Sequence, residues 1–205
     1  MSPARSADVR ARLLAAARAE LVEHGRAAIS LRAVARRAGL SHASPKYHFG
    51  DRAGLLTAIA TEGFQTLAHE LDMVTEPDPG RKLAALGRAY IDFGLTHPAL
   101  FELMFSSVEL HAGAPDLVVA QQRAIEALST AVSRLAARRS GSTEVVPDTA
   151  LIAWSFVHGL VTLTRSGALE TAASQRAGET VELAYALIDA FVGYLQTDLA
   201  RHPEA

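Results

Sequence analysis

Between its glycines and prolines, the chain repeats apolar residues at intervals of three and four, which is the spacing of one helix face. No segment carries a convincing strand pattern. Alanine, the residue with the highest helix propensity, accounts for 40 of the 205 residues. The pattern therefore predicts an all-α fold of about nine helices, over residues 7–24, 31–38, 42–49, 51–75, 81–96, 98–105, 116–139, 148–165 and 179–201.

Residues 30–49 predict two short helices joined by a tight turn. Ser30 precedes the first helix and can accept a backbone hydrogen bond as its N-cap. One side of that helix is apolar, through Leu31, Val34, Ala35 and Ala38. Gly39 follows at the position where a left-handed residue ends a helix. Ser41 is then predicted to cap the second helix.

The second helix is expected to bury one side and expose the other. Leu40 and Pro45 would pack together as a hydrophobic staple. The opposite face carries His42, Ala43, Lys46 and Tyr47. Two helices joined in this way form the helix-turn-helix motif, whose second helix enters the major groove of DNA. There Lys46 can donate to guanine or phosphate, and Ala43 can touch a thymine methyl group. The alternative is an ordinary helical hairpin with scattered polar residues.

Charge is distributed unevenly along the chain, although the formal net charge is only −2. Residues 1–56 hold ten lysines and arginines and four acidic residues, a charge of +6. The remaining 149 residues hold ten basic and 18 acidic residues, a charge of −8. A basic head on an acidic body is expected when one domain alone meets a polyanion. A solvated surface face is the alternative.

Several classes of protein are disfavoured by what the sequence lacks. The absence of cysteine excludes disulfides, thiolate metal ligands and cysteine nucleophiles. No apolar run reaches the ~18 residues of a membrane-spanning helix, and charges interrupt the N-terminal segment, so we expect a cytoplasmic chain without a membrane partner. Residues 69–73 begin like a zinc-protease motif but lack its second histidine, and residues 39–43 lack the closing glycine of a nucleophile elbow. We therefore expect no enzymatic activity, no metal site and no cofactor.

The first 60 residues resemble the DNA-binding domain of TetR-family transcriptional regulators. The resemblance is carried by Arg12–Leu14, Ala16–Ala17, Leu21, His24–Gly25, Ser30–Phe49, Asp51–Arg52 and Leu55–Leu56. It implies a three-helix DNA-binding head over residues 1–56 and a helical effector-binding and dimerisation domain over residues 57–205. It also implies a dimer that binds a palindromic operator in double-stranded DNA.

The resemblance assigns DNA contacts by position. Arg32 matches a contact to a base or to the backbone. The recognition-helix contacts are matched by His42, Ala43, Ser44, Lys46 and Tyr47, and the phosphate contacts by Ser30, Ser41, His48 and Arg52. Two residues depart from the family pattern, because Lys46 stands where tyrosine is usual and Pro45 where leucine or phenylalanine is usual. The first departure predicts a different base preference or a stronger salt dependence.

Residues 90–105 and the Trp-Ser-Phe-Val-His-Gly segment 154–159 resemble the effector domain of a TetR subgroup with a Trp…His-Gly element. This resemblance implies a pocket for a small apolar molecule. The aromatic, methionine and histidine side chains that would line it are Tyr90, Phe93, His97, Phe101, Met104, Phe105, Trp154 and His158. The alternative is that these residues form an ordinary core.

The last helix has an apolar stripe that is too extensive for a lone surface helix. We predict that it forms a dimer interface together with part of the preceding helix, through Leu160, Leu183, Leu187, Phe191 and Leu195. Packing within the monomer is the alternative. The expected function is a homodimeric repressor that a small effector releases from its operator. The alternatives are an activator or ligand-independent regulator of the same fold, and a helical carrier or enzyme with an incidental basic head.

Overall fold

The computed structural model describes residues 3–140, 147–172 and 180–201, and it is all-α, with no strand in these ranges. Ten α-helices are present there, and a short 3₁₀ turn at Arg26–Ala28 follows the first of them. The helices are α1 (Pro3–His24), α2 (Leu31–Arg37), α3 (Ala43–Phe49), α4 (Arg52–Asp72), α5 (Pro79–Thr96), α6 (Pro98–Met104), α7 (Pro115–Ser140), α8 (Pro147–Arg165), α9 (Ala168–Ala172) and α10 (Thr180–Arg201). The predicted fold class is confirmed. The five-residue helix α9 was not predicted.

The turn between α2 and α3 confirms most of the predicted local chemistry. The Ser30 hydroxyl accepts a 3.1 Å hydrogen bond from the backbone N–H of Ala33, so it caps α2. Gly39 has a φ of 64° and ends that helix in the left-handed conformation. The backbone N–H of Gly39 donates to the Arg36 carbonyl, and the backbone N–H of Leu40 donates to the Ala35 carbonyl. These two hydrogen bonds define a Schellman motif.

The predicted cap at Ser41 is wrong. The residue that precedes α3 is His42, and no side chain caps that helix. The Ser41 hydroxyl instead lies 2.8 Å from the Ser44 hydroxyl, and the Ser44 N–H donates to the Ser41 carbonyl. His42 has helical dihedral angles, with φ −62° and ψ −19°, and α3 itself begins at Ala43, one residue after the start of the predicted helix 42–49.

The first compact unit consists of Met1–Thr66 and His97–Gln121. In it, α1 packs against α2, α3 and α6. Its core is built from side chains that are almost fully buried, including Leu13, Leu14, Leu21, Val34, Leu55, Leu56 and Ile59. Gly63 of α4 permits a close approach to α6, because a Cβ atom there would lie 2.7 Å from the sulfur of Met104. The boundaries of the two compact units do not fall at residue 56. The division into a DNA-binding domain over residues 1–56 and an effector domain over residues 57–205 stays a prediction.

The second compact unit consists of Leu67–Thr96 and Gln122–Ala205. Its described part is centred on α5, which packs against both α8 and α10. Buried apolar side chains fill the space between these helices, including Ile91, Phe93, Val161, Ala184 and Ile188. The Arg88 guanidinium of α5 pairs with the Asp189 carboxylate of α10, with N–O distances of 2.5 and 2.6 Å. The unit is thus a helical bundle with an apolar interior.

Candidate nucleic-acid interface and effector region

Helix α3 has one buried side and one side open to solvent. Pro45 is buried, whereas the predicted base-reading residues are exposed: His42, Ala43, Lys46 and Tyr47. The Tyr47 side chain is 76% exposed, which is unusual for a tyrosine in a folded unit. The helix therefore offers a cation, a hydroxyl and a methyl group on one accessible face. That these groups contact DNA stays a prediction.

Contacts from α1 and α2 hold α3 in place. The Arg10 guanidinium of α1 lies over the Phe49 ring at the end of α3, 5.5 Å from the ring centroid. The Arg12 guanidinium donates a 3.0 Å hydrogen bond to the Ala38 carbonyl at the end of α2. These contacts attach the turn after α2 and the C-terminal end of α3 to α1.

The arginines of α2 differ in what they can reach. Arg37 donates to Glu20 at 3.2 Å and to Glu23 at 2.8 Å, so its charge is already matched by α1. The hydrogen bond from Arg37 also holds the pKa of the Glu23 carboxyl below its ordinary value. Arg32 and Arg36 are exposed and lie four residues apart, on one side of the helix. Arg36 is therefore a candidate DNA contact that was not predicted, although its spacing from Arg32 was visible in the sequence.

Asp51 makes two contacts at the junction between α3 and α4. The Asp51 carboxylate accepts a 2.7 Å hydrogen bond from the backbone N–H of Gly54, which caps α4. It also lies 3.2 Å from Nε2 of His111. The Gly54 hydrogen bond, followed by the contact with His111, holds the pKa of Asp51 below its ordinary value. A Cβ atom on Gly54 would lie 2.0 Å from the Phe49 carbonyl oxygen, so this position accepts no larger residue without a backbone shift.

Arg52 has partners within its own chain that the sequence did not predict. Its Nε donates to the Ile29 carbonyl at 3.0 Å, and its Nη2 donates to the Arg26 carbonyl at 2.8 Å. Its Nη1 is 3.2 Å from the Glu109 carboxylate. Glu109 lies 57 positions further along the chain, and no local sequence signal could have paired the two residues.

The predicted effector residues fall into two groups. In the first unit, the rings of Phe64 and Phe101 both contact that of Phe105, with centroids 5.4 and 4.9 Å apart respectively. Met104 is buried beside them on α6, and His97, just before that helix, is half-buried. The remaining four residues, Tyr90, Phe93, Trp154 and His158, belong to the second unit.

The second group contains a polar pair, formed by the buried Tyr90 and the half-buried His158. The Tyr90 hydroxyl lies 3.0 Å from Nδ1 of His158, and the Trp154 ring lies 5.5 Å from the His158 ring, centroid to centroid. Burial raises the pKa of Tyr90, and a hydrogen bond from the Trp154 side chain opposes part of that rise. Burial lowers the pKa of His158. Both side chains are therefore uncharged near neutral pH, as an apolar pocket or an apolar core requires.

Comparison with known protein families identifies the family to which this chain belongs. Residues 13–59 match the family model of bacterial regulatory proteins of the tetR family. Residues 83–191, more than half of the chain, match the model of the tetracyclin repressor-like C-terminal domain. The chain belongs to the TetR family of transcriptional regulators.

The chain is also similar to individual proteins. The solved structure of a protein of unknown function from Rhodococcus sp. RHA1 is 32% identical, covers 92% of this chain and 95% of its own, and superimposes with a TM-score of 0.78. The TetR-family regulator PfmR from Thermus thermophilus is 20% identical over 89% of this chain and 97% of its own, with a TM-score of 0.61, and it supports the fold. The HTH-type transcriptional regulator Rv1816 of Mycobacterium tuberculosis is 27% identical over 103 residues, which are 48% of this chain and 44% of that protein.

The predicted dimer residues of this TetR-family regulator do not all face outward. Leu160 is only 4% exposed within its own chain, and its role as an interface residue stays a prediction. Four others are half-buried: Leu183, Leu187, Phe191 and Leu195. Phe191 stacks on Phe156 of α8, with ring centroids 4.4 Å apart. The apolar stripe of α10 is thus used in part to pack α10 against its own chain, and whether its half-buried residues also form a dimer interface stays a prediction.

Other apolar residues of α8 and α10 are exposed to solvent in the regulator. The exposed large apolar side chains on these helices are Leu151, Ile152, Leu163 and Tyr194. Gly159 and Gly193 have open space where a Cβ would stand. In α8, Leu163 lies four residues after Gly159, whereas Leu160 is rotated by one position and points inward. We call these six residues the α8–α10 face.

Two features are absent from the part of the regulator that the structure describes. No helix there is long and apolar enough to cross a membrane. The same residues contain no group of three or more histidine, aspartate or glutamate side chains that could hold a metal ion.

Proposed function

We propose that this regulator is a homodimeric repressor that binds a palindromic operator through α3 and leaves it when a small apolar effector binds. The observation that carries the proposal is the exposed face of α3. A tyrosine, a lysine and a histidine project into solvent from a helix whose opposite side is fixed by the buried Pro45. A helix presented in this way fits the major groove, where side chains reach the base edges.

The residues of α2 and α3 would contact different parts of the DNA. Lys46 and Tyr47 would read bases, because they are exposed at the centre of the helix and carry donors. Arg32 and Arg36 of α2 would contact phosphates. The Ser30 hydroxyl, whose oxygen accepts the hydrogen bond that caps α2, would donate its proton to a phosphate as well. The backbone contacts would position the helix, and the base contacts would supply sequence specificity.

Dimerisation would place two copies of α3 on successive major grooves. Half-sites one helical turn apart are separated by about 34–36 Å, which a single head cannot span. The α8–α10 face supports a two-fold interface because it combines exposed large apolar side chains with glycines that permit close approach of another helix. Leu163→Glu should therefore shift the protein from dimer to monomer in sedimentation equilibrium. Val119→Glu, an equally drastic change at an exposed apolar residue of α7, should not.

Effector binding would act by shifting a conformational equilibrium. The uncharged Tyr90–His158 pair supplies hydrogen-bonding groups among aromatic side chains, which is the usual composition of a site for an apolar ligand. A ligand that binds one conformation better draws the dimer toward it, and the operator is released when that conformation no longer matches the half-site spacing.

The decisive experiment is selection of a duplex from a randomised pool, followed by fluorescence anisotropy on the selected sequence. Tyr47→Ala should weaken binding to the selected duplex. Val22→Ala is the matched control, because Val22 is also 76% exposed but lies on α1. Failure to enrich any duplex would contradict the proposal and favour a helical carrier. A selected site that raises transcription in a reporter strain would indicate an activator instead.

A further inference from the structure

The loop between α6 and α7 carries a carboxylate that is shared by two arginines. Oε1 of Glu109 is 3.2 Å from Nη1 and 3.3 Å from Nη2 of Arg52. Its Oε2 is 3.2 Å from Nη1 of Arg26 and accepts a 3.2 Å hydrogen bond from the Ser106 hydroxyl. Two cations therefore converge on one anion, and the cluster keeps one surplus positive charge.

The arrangement resembles an occupied anion site more than an ordinary surface ion pair. Arg52 is anchored from behind, since it donates to the carbonyls of Ile29 and Arg26. Arg26 also donates to the Ser106 hydroxyl at 3.2 Å. The side chains of Arg26 and Arg52 remain 45% and 40% exposed, so another anion can reach both guanidinium groups from solvent.

The position of the cluster places it beside the proposed DNA-reading elements. Arg52 is the first residue of α4, two positions after the Gly50 that ends α3. Through the Ile29 carbonyl it is attached to the segment that immediately precedes the α2 cap, Ser30. The two guanidinium groups thus lie next to the start of α2 and the end of α3, and both of those helices expose cations.

We propose that Arg26 and Arg52 form one binding site for a DNA backbone phosphate and that Glu109 occupies this site in the free protein. The inference rests on the proposed DNA binding and adds to the phosphate contact expected at Arg52 a second residue, Arg26, and an internal competitor, Glu109. A phosphate offers the same charge-assisted acceptor oxygens as the carboxylate, so exchange preserves the hydrogen bonds of both arginines. DNA binding then has to displace Glu109 from the pair.

The competitor is connected to α6 by a short loop. Glu109 lies five residues after the end of α6 at Met104, and the same loop is fastened by His111. The backbone N–H of His111 donates a 2.9 Å hydrogen bond to the Thr57 hydroxyl of α4, and its ring contacts Asp51 at 3.2 Å. A displacement of α6 would therefore change how firmly Glu109 holds the two arginines.

The test is the salt dependence of DNA affinity in Glu109→Gln, which keeps the size of the side chain and removes its charge. Glu126→Gln is the matched control, because it removes the same charge from an exposed position of α7. Affinities are measured by anisotropy for a selected duplex and for a scrambled duplex, across a range of potassium chloride concentrations. We expect Glu109→Gln to bind both duplexes about threefold to tenfold more tightly, with a log K against log[salt] slope steeper by up to about 0.9 for each such site, because one site neutralises one phosphate.

A second variant identifies the partner. In an Arg52→Gln background, Glu109→Gln should gain a smaller increase in affinity and slope, because Arg26 alone would remain to hold the phosphate. If Glu109→Gln fails to fold, Glu109→Asp tests the same point, since the shorter side chain holds the arginines less well and should also steepen the slope. Unchanged or weaker binding with an unchanged slope would overturn the inference. Glu109 would then only stabilise the fold. If the wild-type protein binds no duplex at all, the proposed function itself fails, and this inference fails with it.

Discussion

Two tyrosines of this regulator show how differently its two regions use the same side chain. Tyr47 on α3 is 76% exposed, whereas Tyr90 on α5 is 6% exposed and lies 3.0 Å from a histidine nitrogen. Burial raises the pKa of Tyr90, while the hydroxyl of Tyr47 is available to an external partner. The residues that would read DNA therefore contribute little to folding, and those that would hold an effector are also part of the core.

The largest effect is expected at the junction that orients α3. Gly54→Ala would place a Cβ atom 2.0 Å from the Phe49 carbonyl oxygen, which forces a backbone shift between α3 and α4. We expect a loss of stability of at least about 2 kcal/mol in chemical denaturation, together with loss of operator binding. Gly113→Ala is the control, since a Cβ there meets open space, and it should change stability by less than about 0.5 kcal/mol. Equal effects of the two variants would show that the junction is not rigid.

A purely functional effect is expected at Lys46. Its side chain is exposed, so Lys46→Ala should leave the free energy of unfolding unchanged. If Lys46 reads a base, binding to the selected operator should weaken by roughly 1–3 kcal/mol and specificity should relax at one position of each half-site. Anisotropy with a panel of single-base operator variants checks this. A uniform loss on all sequences would make Lys46 a phosphate contact instead.

The tyrosine comparison can be tested directly with two phenylalanine substitutions. Tyr90→Phe removes the hydroxyl that pairs with Nδ1 of His158 and leaves this half-buried ring nitrogen without that partner. The expected cost in unfolding free energy is about 1–2 kcal/mol. Tyr47→Phe should cost less than about 0.5 kcal/mol, because its hydroxyl is exposed. A reversal of this order would contradict the division between surface site and buried site.

The smallest effect concerns pH. Burial lowers the pKa of His158 in the folded state, so the unfolded chain binds more protons once the pH falls below about 6.5. The contribution of this residue to stability is therefore complete above that pH and decreases as the pH falls from there toward the lower folded-state pKa. Unfolding curves at about pH 7.5 and about pH 5.5 should differ less for His158→Gln than for the wild-type protein. An identical pH difference in the two proteins would show that His158 is not the group responsible.

Local chemistry explains which parts of the structure the sequence could predict. The Ser30 cap, the turn at Gly39 and the exposed face of α3 depend on residues within a few positions of one another, and all three were found from spacing alone. The contact between Arg52 and Glu109 joins residues 57 positions apart, and spacing carries no information about it. Only the three-dimensional packing of the α6–α7 loop brings these two residues together.

Two positions on helices differ from what the sequence pattern indicated. The residue before α3 is His42 rather than Ser41, and the Ser41 hydroxyl lies against the Ser44 hydroxyl. The interface residue expected at Leu160 proved to be buried, whereas Leu163 is exposed. A stripe that is apolar on more than half of a helix does not reveal which edge faces its own chain and which edge remains free.

The exposed face of α3 is the surface on which sequence-specific DNA binding would depend. The most direct measurement is the ratio of the affinities for a selected duplex and for a scrambled duplex of the same composition, at one fixed physiological salt concentration. We expect a ratio of about a thousandfold or more. We also expect the double variant Lys46→Ala/Tyr47→Ala to lose most of this ratio while remaining folded. Equal affinity of the wild-type protein for both duplexes would contradict sequence reading by α3.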